Sequence, residues 1–400
     1  MIRSLLNASF VNIVGAVLSY SIIVYLASIG SDGSYTTFLY FLTWAMIFSS
    51  FLEIASESVF VKFARFSNSL FKAFSTVYIL KITLLIVLIS IFLIINDDFE
   101  KIDFRVLLLM LPIFHLGPVF EYLKRNLTYV LILFFEKVLL LSILLLRLGS
   151  ENFIDEIYYI YFITSLSSLL VQIYFVKSEL IVARQNILKN IYEYINLYYG
   201  MYFVLQLHLV YGYYTRLIIE VRNGAEAFAA VAIALQIINS ASLFQSQVDR
   251  HFRSLFFKAI EEKNRLKLFE ALKRYFYFTT MPIILLCALF YFSANLIGVY
   301  LFPEGYDGLI DCIKVLSITP FSANILRLGD AFFTGMHKTK TNMFITFVMV
   351  IILITLTMIL NNAPTVNYLY VFNGVLLTHG IFSFMYGLMN FSFKYAYEKE

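Results

Sequence analysis

Ionisable residues sit inside stretches that are otherwise apolar, and their types and spacing limit the chemistry open to them. In LILFFEKVLLLSILLL, residues 131–146, the carboxylate of Glu136 and the ammonium of Lys137 adjoin each other in an oily run. Adjacent helical positions point about 100° apart, so these two look toward different neighbours and do not neutralise each other. Glu53 and Glu57 are four apart, the spacing of one helix face. His208, Arg216 and Glu220 fall within a broad common face, because eight and twelve residues bring a helix back to about 80° and 120°. Asp311 with Lys314, and Arg327 with Asp330, are three apart and suited to local ion pairs. Lys81 has no acidic neighbour on its own segment, so it needs a partner on another segment or an anionic ligand.

A charge at the centre of a membrane span costs about 2.5–3.5 kcal/mol on insertion scales, so such residues face a cavity, pair, or mark a pathway. Lys81, Lys137, Arg216 and Arg327 are groups that would hold an anionic head, with arginine able to grip phosphate oxygens bidentately. Glu53, Glu57, Glu136 and Asp330 would balance those charges when the site is empty, or couple movement to protons or sodium. The competing reading is structural: Glu53, Glu57 and Glu136 neutralise Lys81, Lys137 and Arg216 across helices and fix packing. Asp311 and Lys314 lie beside the polar loop FPEGYDGL, from which their side chains can snorkel to water. Histidines 115, 208 and 379 lack metal-ligand spacing, although His208 could relay a proton. No HExxH, GxSxG, CxxC or Gly-rich phosphate loop occurs, and Cys287 and Cys312 read as small apolar packing residues. The expectation is a chain without cofactor and without enzymatic equipment.

The segments that must position these residues follow from composition. The chain is 60% hydrophobic with 42 Phe, 29 Tyr and 14% charged residues, and its mean hydropathy is +0.81. That is too apolar for a water-soluble domain and marks a membrane protein. A helix needs about 20 mostly apolar residues to cross the hydrocarbon core. Twelve such stretches run roughly over 8–29, 35–56, 73–95, 105–122, 127–146, 156–176, 196–219, 226–247, 275–298, 309–333, 342–360 and 367–389. Barrel strands alternate apolar and polar residues, whereas NMFITFVMVIILITLTMIL is continuous, so the fold class is an all-α polytopic membrane protein. The first segment is longer than a signal-peptide core and a second span follows it directly, so no cleavage is expected. If the N-terminus is cytoplasmic, 21 Lys and Arg fall on that side against 4 on the other, which favours both termini in the cytoplasm. The net charge of +4 therefore reflects topology and not a nucleic-acid surface.

The chain also hints at duplication. The fourth and tenth spans carry Pro112 and Pro320 near their middles, and Arg65 and Arg253 stand in corresponding loops. This predicts two six-helix bundles, residues 1–195 and 196–400, around a central cavity. The largest soluble piece, residues 249–274, is basic and amphipathic, with Leu255, Phe256, Ile260, Leu266, Phe269 and Leu272 as apolar positions. A helix at the cytoplasmic interface is expected there.

The opening NIVGAVLSYSIIVYLASIGSDGSYTTFLYF resembles that of Wzx-type flippases, the polysaccharide transporters of the MOP superfamily, through Asn12, Gly15, Leu26, Ala27, Gly30 and Tyr35. YYTRLIIEVRNGAEAFAAVAIALQ and IGVYLFPEGYDG resemble that family's junctions after its seventh and ninth spans. Ser28 departs from the pattern, where an arginine is common, and Lys81 and Lys137 are the stand-ins this chain offers. The resemblance implies twelve helices in two bundles and a cationic lumen that opens alternately to either side. It further implies transport of an undecaprenyl-diphosphate-linked oligosaccharide, an O-antigen repeat unit, from the cytoplasmic to the periplasmic leaflet. Tyr198, Tyr199, Tyr202 and Tyr211 would stack on its sugars. Implied surroundings are the bacterial inner membrane and its lipids, with a polysaccharide polymerase and chain-length regulator as partners. A cation-coupled multidrug or metabolite exporter of the same superfamily is the alternative. A membrane polymerase or glycosyltransferase would need a long external loop, and no loop on the outer side exceeds about 12 residues.

Overall fold

In hydrocarbon a backbone amide has no water to bond, so long apolar runs must close their hydrogen bonds internally, as helices do. The computed structural model describes residues 11, 14–15, 17–19, 21–22, 24–26, 34–53, 57–95, 104–147, 153–180, 186–302, 306, 308–336, 338–361 and 363–396, and among these it contains helices and no strand. The helices are α1 (Ser34–Leu52), α2 (Glu57–Phe66), α3 (Leu70–Ile95), α4 (Arg105–Leu109), α5 (Gly117–Tyr122), α6 (Asn126–Leu146), α7 (Phe153–Val176) and α8 (Ile187–Asn223). They continue as α9 (Ala225–Glu261), α10 (Arg265–Tyr275), α11 (Met281–Leu301), α12 (Leu309–Leu316), α13 (Thr319–Gly335), α14 (Thr339–Ile359) and α15 (Thr365–Ala396).

Nine described segments are long and apolar enough to cross a membrane. The apolar helices Val17–Leu26 and Ala225–Asn239 and the 37-residue α8 answer to the other three expected spans. The protein is a multi-pass membrane protein. Contacts divide it into two compact units, one of Met1–Ile22 with Asp32–Tyr202 and one of Ile23–Ser31 with Phe203–Glu400. Within α8 the division falls at Tyr202/Phe203. Asn12, Ala27, Ser28 and Gly30 of the opening motif lie outside the described residues, as do the side chains of Glu57, Arg65 and Arg253.

The second span differs from expectation. It ends at Leu52 and Glu53 lies just past that end, while the side chain of Glu57, expected on the same face, lies outside the described residues. Ser50 supplies the cause: its hydroxyl donates to the Ile47 carbonyl, and the Glu53 amide turns back onto the Ser50 carbonyl at 3.0 Å. A serine that takes a carbonyl of its own turn competes with the helical ladder.

The fourth and tenth spans are both broken near the prolines that sequence singled out. In the first unit α4 passes through a 3-10 helix, Leu111–Phe114, before α5 starts at Gly117. In the second, α12 stops at Leu316 and α13 restarts at Thr319 with Pro320 in its first turn. Proline lacks the amide proton and its ring crowds the preceding turn, so each interrupts the ladder where it stands.

The interior of the first unit gathers Phe60 and Phe63 of α2, Phe120 of α5, and Tyr194 of α8. The second gathers Phe256 of α9, Leu268 of α10, Phe332 of α13 and Phe391 of α15. Of the interfacial positions expected in 249–274, Phe256 and Ile260 are buried, whereas Leu266 is 83% exposed and Phe269 is also exposed, under the Arg265 guanidinium.

Close packing of α13 against α15 depends on glycines. A Cβ on Gly380 would lie 2.8 Å from the Leu326 backbone nitrogen, and one on Gly329 would lie 2.6 Å from the Ser383 Cβ. Lipid tails are as apolar as leucine, so helices in a membrane associate through such close contacts and not through water exclusion. Gly380→Ala is expected to cost about 1–3 kcal/mol, the range for overpacking. Gly374→Ala on the same helix, where a Cβ meets nothing within 4 Å, should be neutral or stabilising; thermal unfolding of the two purified variants compares them.

Candidate functional site

In the first unit the break in the fourth span exposes backbone groups inside the protein, and side chains from other helices satisfy them. The Lys81 ammonium on α3 donates to the Ile113 carbonyl at 2.8 Å, and the Tyr78 hydroxyl donates to the His115 carbonyl at 3.0 Å. The Leu116 amide donates to Gln172 Oε1 on α7 at 2.6 Å, while Gln172 Nε2 donates to Ser168 Oγ at 3.2 Å. Lys81 is only 5% exposed. Of the two options its sequence left open, a partner elsewhere in the chain or an anionic ligand, the fold supplies the first.

Beside the break lies Glu136. Its Oε1 accepts the Ser165 hydroxyl at 3.1 Å, and its Oε2 is buried 3.8 Å from His115 Nε2 with no hydrogen-bond donor among the described residues. Ser165 Oγ also reaches His115 Nε2 at 3.4 Å, closing a small polar triangle. Lys137 turns the other way, its ammonium donating to the Gly15 carbonyl at 3.2 Å. The adjacent pair therefore faces different neighbours, as the 100° step of a helix requires. The Glu136 carboxylate still acts electrostatically on Lys137, His115 and Tyr161, which makes it the common counter-charge of this region. Glu53, just past α1, acts in the same way on Lys81.

The second unit holds its own constellation. Asp330 of α13 accepts from Asn342 Nδ2 of α14 at 2.8 Å and faces His208 Nδ1 of α8 at 3.7 Å. The His208 ring lies against that of His379 of α15, centroids 5.7 Å apart. His379 is fully buried and gripped at both nitrogens, by the Tyr211 hydroxyl at 3.0 Å and Thr346 Oγ1 at 3.4 Å. Asp330 was expected to find Arg327 three residues away; its two oxygens face Asn342 and His208. Asp311 and Lys314 form no ion pair with each other among the described residues, and Asp311 is exposed, as snorkelling predicts.

Arg216 of α8 belongs to the second unit. It is 7% exposed, its guanidinium lies 5.3 Å over the Tyr213 ring, and its Nε is buried without a hydrogen-bond acceptor among the described residues. The tyrosines expected to stack on sugars are mostly engaged within the protein. Tyr211 binds His379, Tyr202 donates to the Phe51 carbonyl at 3.2 Å, and Tyr198 packs edge-on against Phe63.

Sequence reasoning placed His115 and His379 in spans and gave them no role, and it passed over Gln172, Tyr78, Ser165, Asn342 and Thr346. One signal was available: LPIFHLGP carries two prolines six residues apart, which frees backbone groups that some other helix must satisfy. Among the described residues no group of three or more His, Cys, Asp or Glu could hold a metal ion.

No protein-family profile and no curated protein matches the sequence. Solved structures do match over nearly the whole chain. A multidrug resistance MATE family transporter of the MOP superfamily, outward-facing, superposes with a TM-score of 0.70 at 15% identity, covering 98% of this chain and 96% of its own. An inward-facing MATE family transporter gives 0.65 at 14%, covering 95% and 94%. A MOP superfamily transporter from Pyrococcus furiosus Vc1 (DSM3638), described as having a binding pocket of reverse polarity that suggests a different function, gives 0.69 at 14%, covering 98% and 96%. At such identities the likeness is one of fold: the chain is folded as MOP-superfamily transporters are, a coarser result than the flippase resemblance in its sequence.

The break in the fourth span yields a direct test. Gln172→Leu leaves the Leu116 amide unsatisfied in the protein interior, at a cost of about 1–3 kcal/mol. Ser168→Ala, which removes only the hydroxyl that orients the Gln172 amide, should cost less. Unfolding midpoints of the purified variants in one detergent rank them, and an unchanged Gln172→Leu midpoint would mean that the amide is satisfied in some other way.

Proposed function

We propose that the chain is an alternating-access transporter coupled to a cation, and that the cation is a proton. The carrying observation is that each unit sets a half-buried carboxylate opposite an imidazole, Glu136 with His115 at 3.8 Å and Asp330 with His208 at 3.7 Å. Ionisable groups at membrane depth are costly and mark relays or pathways. A carboxylate facing an imidazole is an arrangement through which a proton can be passed. The fold supports transport, since the solved structures that match are transporters in both outward-facing and inward-facing states.

For the substrate, the multidrug resistance transporters among those neighbours favour a multidrug or metabolite exporter. A second reading is favoured by Arg216, a buried guanidinium with no carboxylate partner among the described residues. Such a guanidinium would suit an anionic substrate such as a lipid-linked oligosaccharide diphosphate. That reading carries with it a bacterial inner membrane, cytoplasmic termini, and a polysaccharide polymerase and chain-length regulator as partners. Pocket polarity varies on this fold, as the Pyrococcus furiosus transporter is described.

Two measurements separate the readings. In everted membrane vesicles energised by a pH gradient, the exporter reading expects efflux of cationic dyes that falls to the level of empty vesicles in Asp330→Asn and Glu136→Gln. Efflux unaffected by either substitution would remove the proton-coupling assignment. The flippase reading expects Lys137→Ala or Arg216→Ala to abolish long-chain surface polysaccharide in a host lacking its own flippase while the protein still inserts. Unchanged polysaccharide in both variants would sink it.

A further inference from the structure

The carbonyls released by the broken fourth span are met by an ammonium. Lys81 projects from α3 with its Nζ 2.8 Å from the Ile113 oxygen, and it is almost completely buried. The Tyr78 ring presents its face to the same nitrogen at 5.2 Å. That residue's hydroxyl ties down the neighbouring freed carbonyl, His115 O, at 3.0 Å. Glu53, which follows α1, acts on this ammonium as an opposite charge. A freed carbonyl oxygen, an aromatic face and a carboxylate within electrostatic range are what hold monovalent cations where membrane helices unwind. A positive charge without such donors would be expelled from this depth.

We infer that the break of the fourth span is a monovalent-cation site, and that the Lys81 ammonium occupies it from within the chain. The first unit thereby carries a tethered cation in the place where sodium, potassium or a small organic ammonium would otherwise bind. Lys81 holds the bent backbone of 110–116 by charge and hydrogen bond together, and the unit needs no free ion there. This is independent of the proposed transport activity, because occupancy of the site can be read without any substrate.

The test removes the tether and offers free cations. The full chain is purified in detergent as wild type, Lys81→Ala and Lys81→Gln. Thermal unfolding is followed against sodium, potassium or methylammonium chloride, with N-methylglucamine chloride holding ionic strength constant. The wild-type midpoint should not respond. Both variants should unfold at lower temperature, and at least one of the three cations should raise their midpoints saturably. Adding Glu53→Gln to Lys81→Ala should abolish that rise. Lys81→Gln keeps a donor for the Ile113 carbonyl, so it carries the test if Lys81→Ala does not fold. A variant that can be purified only with methylammonium in the buffer also supports the inference. Folded variants with midpoints flat in all three cations, a wild type that responds as they do, or failure of both variants to fold in any of the three cations would overturn it.

Discussion

Everything in this molecule answers to one constraint: within the membrane each backbone amide and carbonyl must find its partner in the protein. Most do so through the helical ladder. The exceptions lie at the fourth and tenth spans, where prolines stop the ladder and side chains from distant helices take over. In the first unit Lys81, Tyr78 and Gln172 perform this task. In the second, Asn373 of α15 donates to the Val315 carbonyl at 2.8 Å and accepts the Thr319 hydroxyl at 2.8 Å. Both units use a side-chain amide for this, and the first adds an ammonium and a phenol.

That difference bears on the charges. Putting an ammonium at the break in the first unit brings with it the need for nearby negative potential, which Glu53 provides. The second unit, with a neutral amide at its break, gathers its polarity instead around Asp330, His208 and His379 and around Asn324. Asn324 accepts from the Tyr275 hydroxyl at 2.6 Å and donates to Thr280 Oγ1 at 3.1 Å. The π-helical turn Phe276–Thr280 adjoins that network, and it leaves Thr279 and Thr280 buried between α10 and α11.

The spans themselves were legible because hydropathy is a property of consecutive residues, and a membrane helix needs nothing beyond its own sequence to satisfy its backbone. All twelve expected stretches have a helical counterpart, and Pro112 and Pro320 marked the two places where a span is interrupted. The end of the second span at Leu52 was not legible, because the Ser50 hydroxyl has the choice of water, its own turn, or a neighbouring helix. The ionisable residues divide in the same way. That Glu136 and Lys137 must look in different directions follows from helix geometry alone, and they do.

Sequence by itself determined that this chain is a polytopic helical membrane protein, where its spans lie, and which charges are stranded inside them. Tertiary structure alone decided their partners. Lys81 meets a carbonyl freed 32 residues away, Glu136 meets His115 and Ser165, and His208 meets Asp330. The physical reason is that hydropathy and helical periodicity act along one segment, whereas a buried charge is stabilised by whichever polar atom the packing of several helices brings within about 3–4 Å.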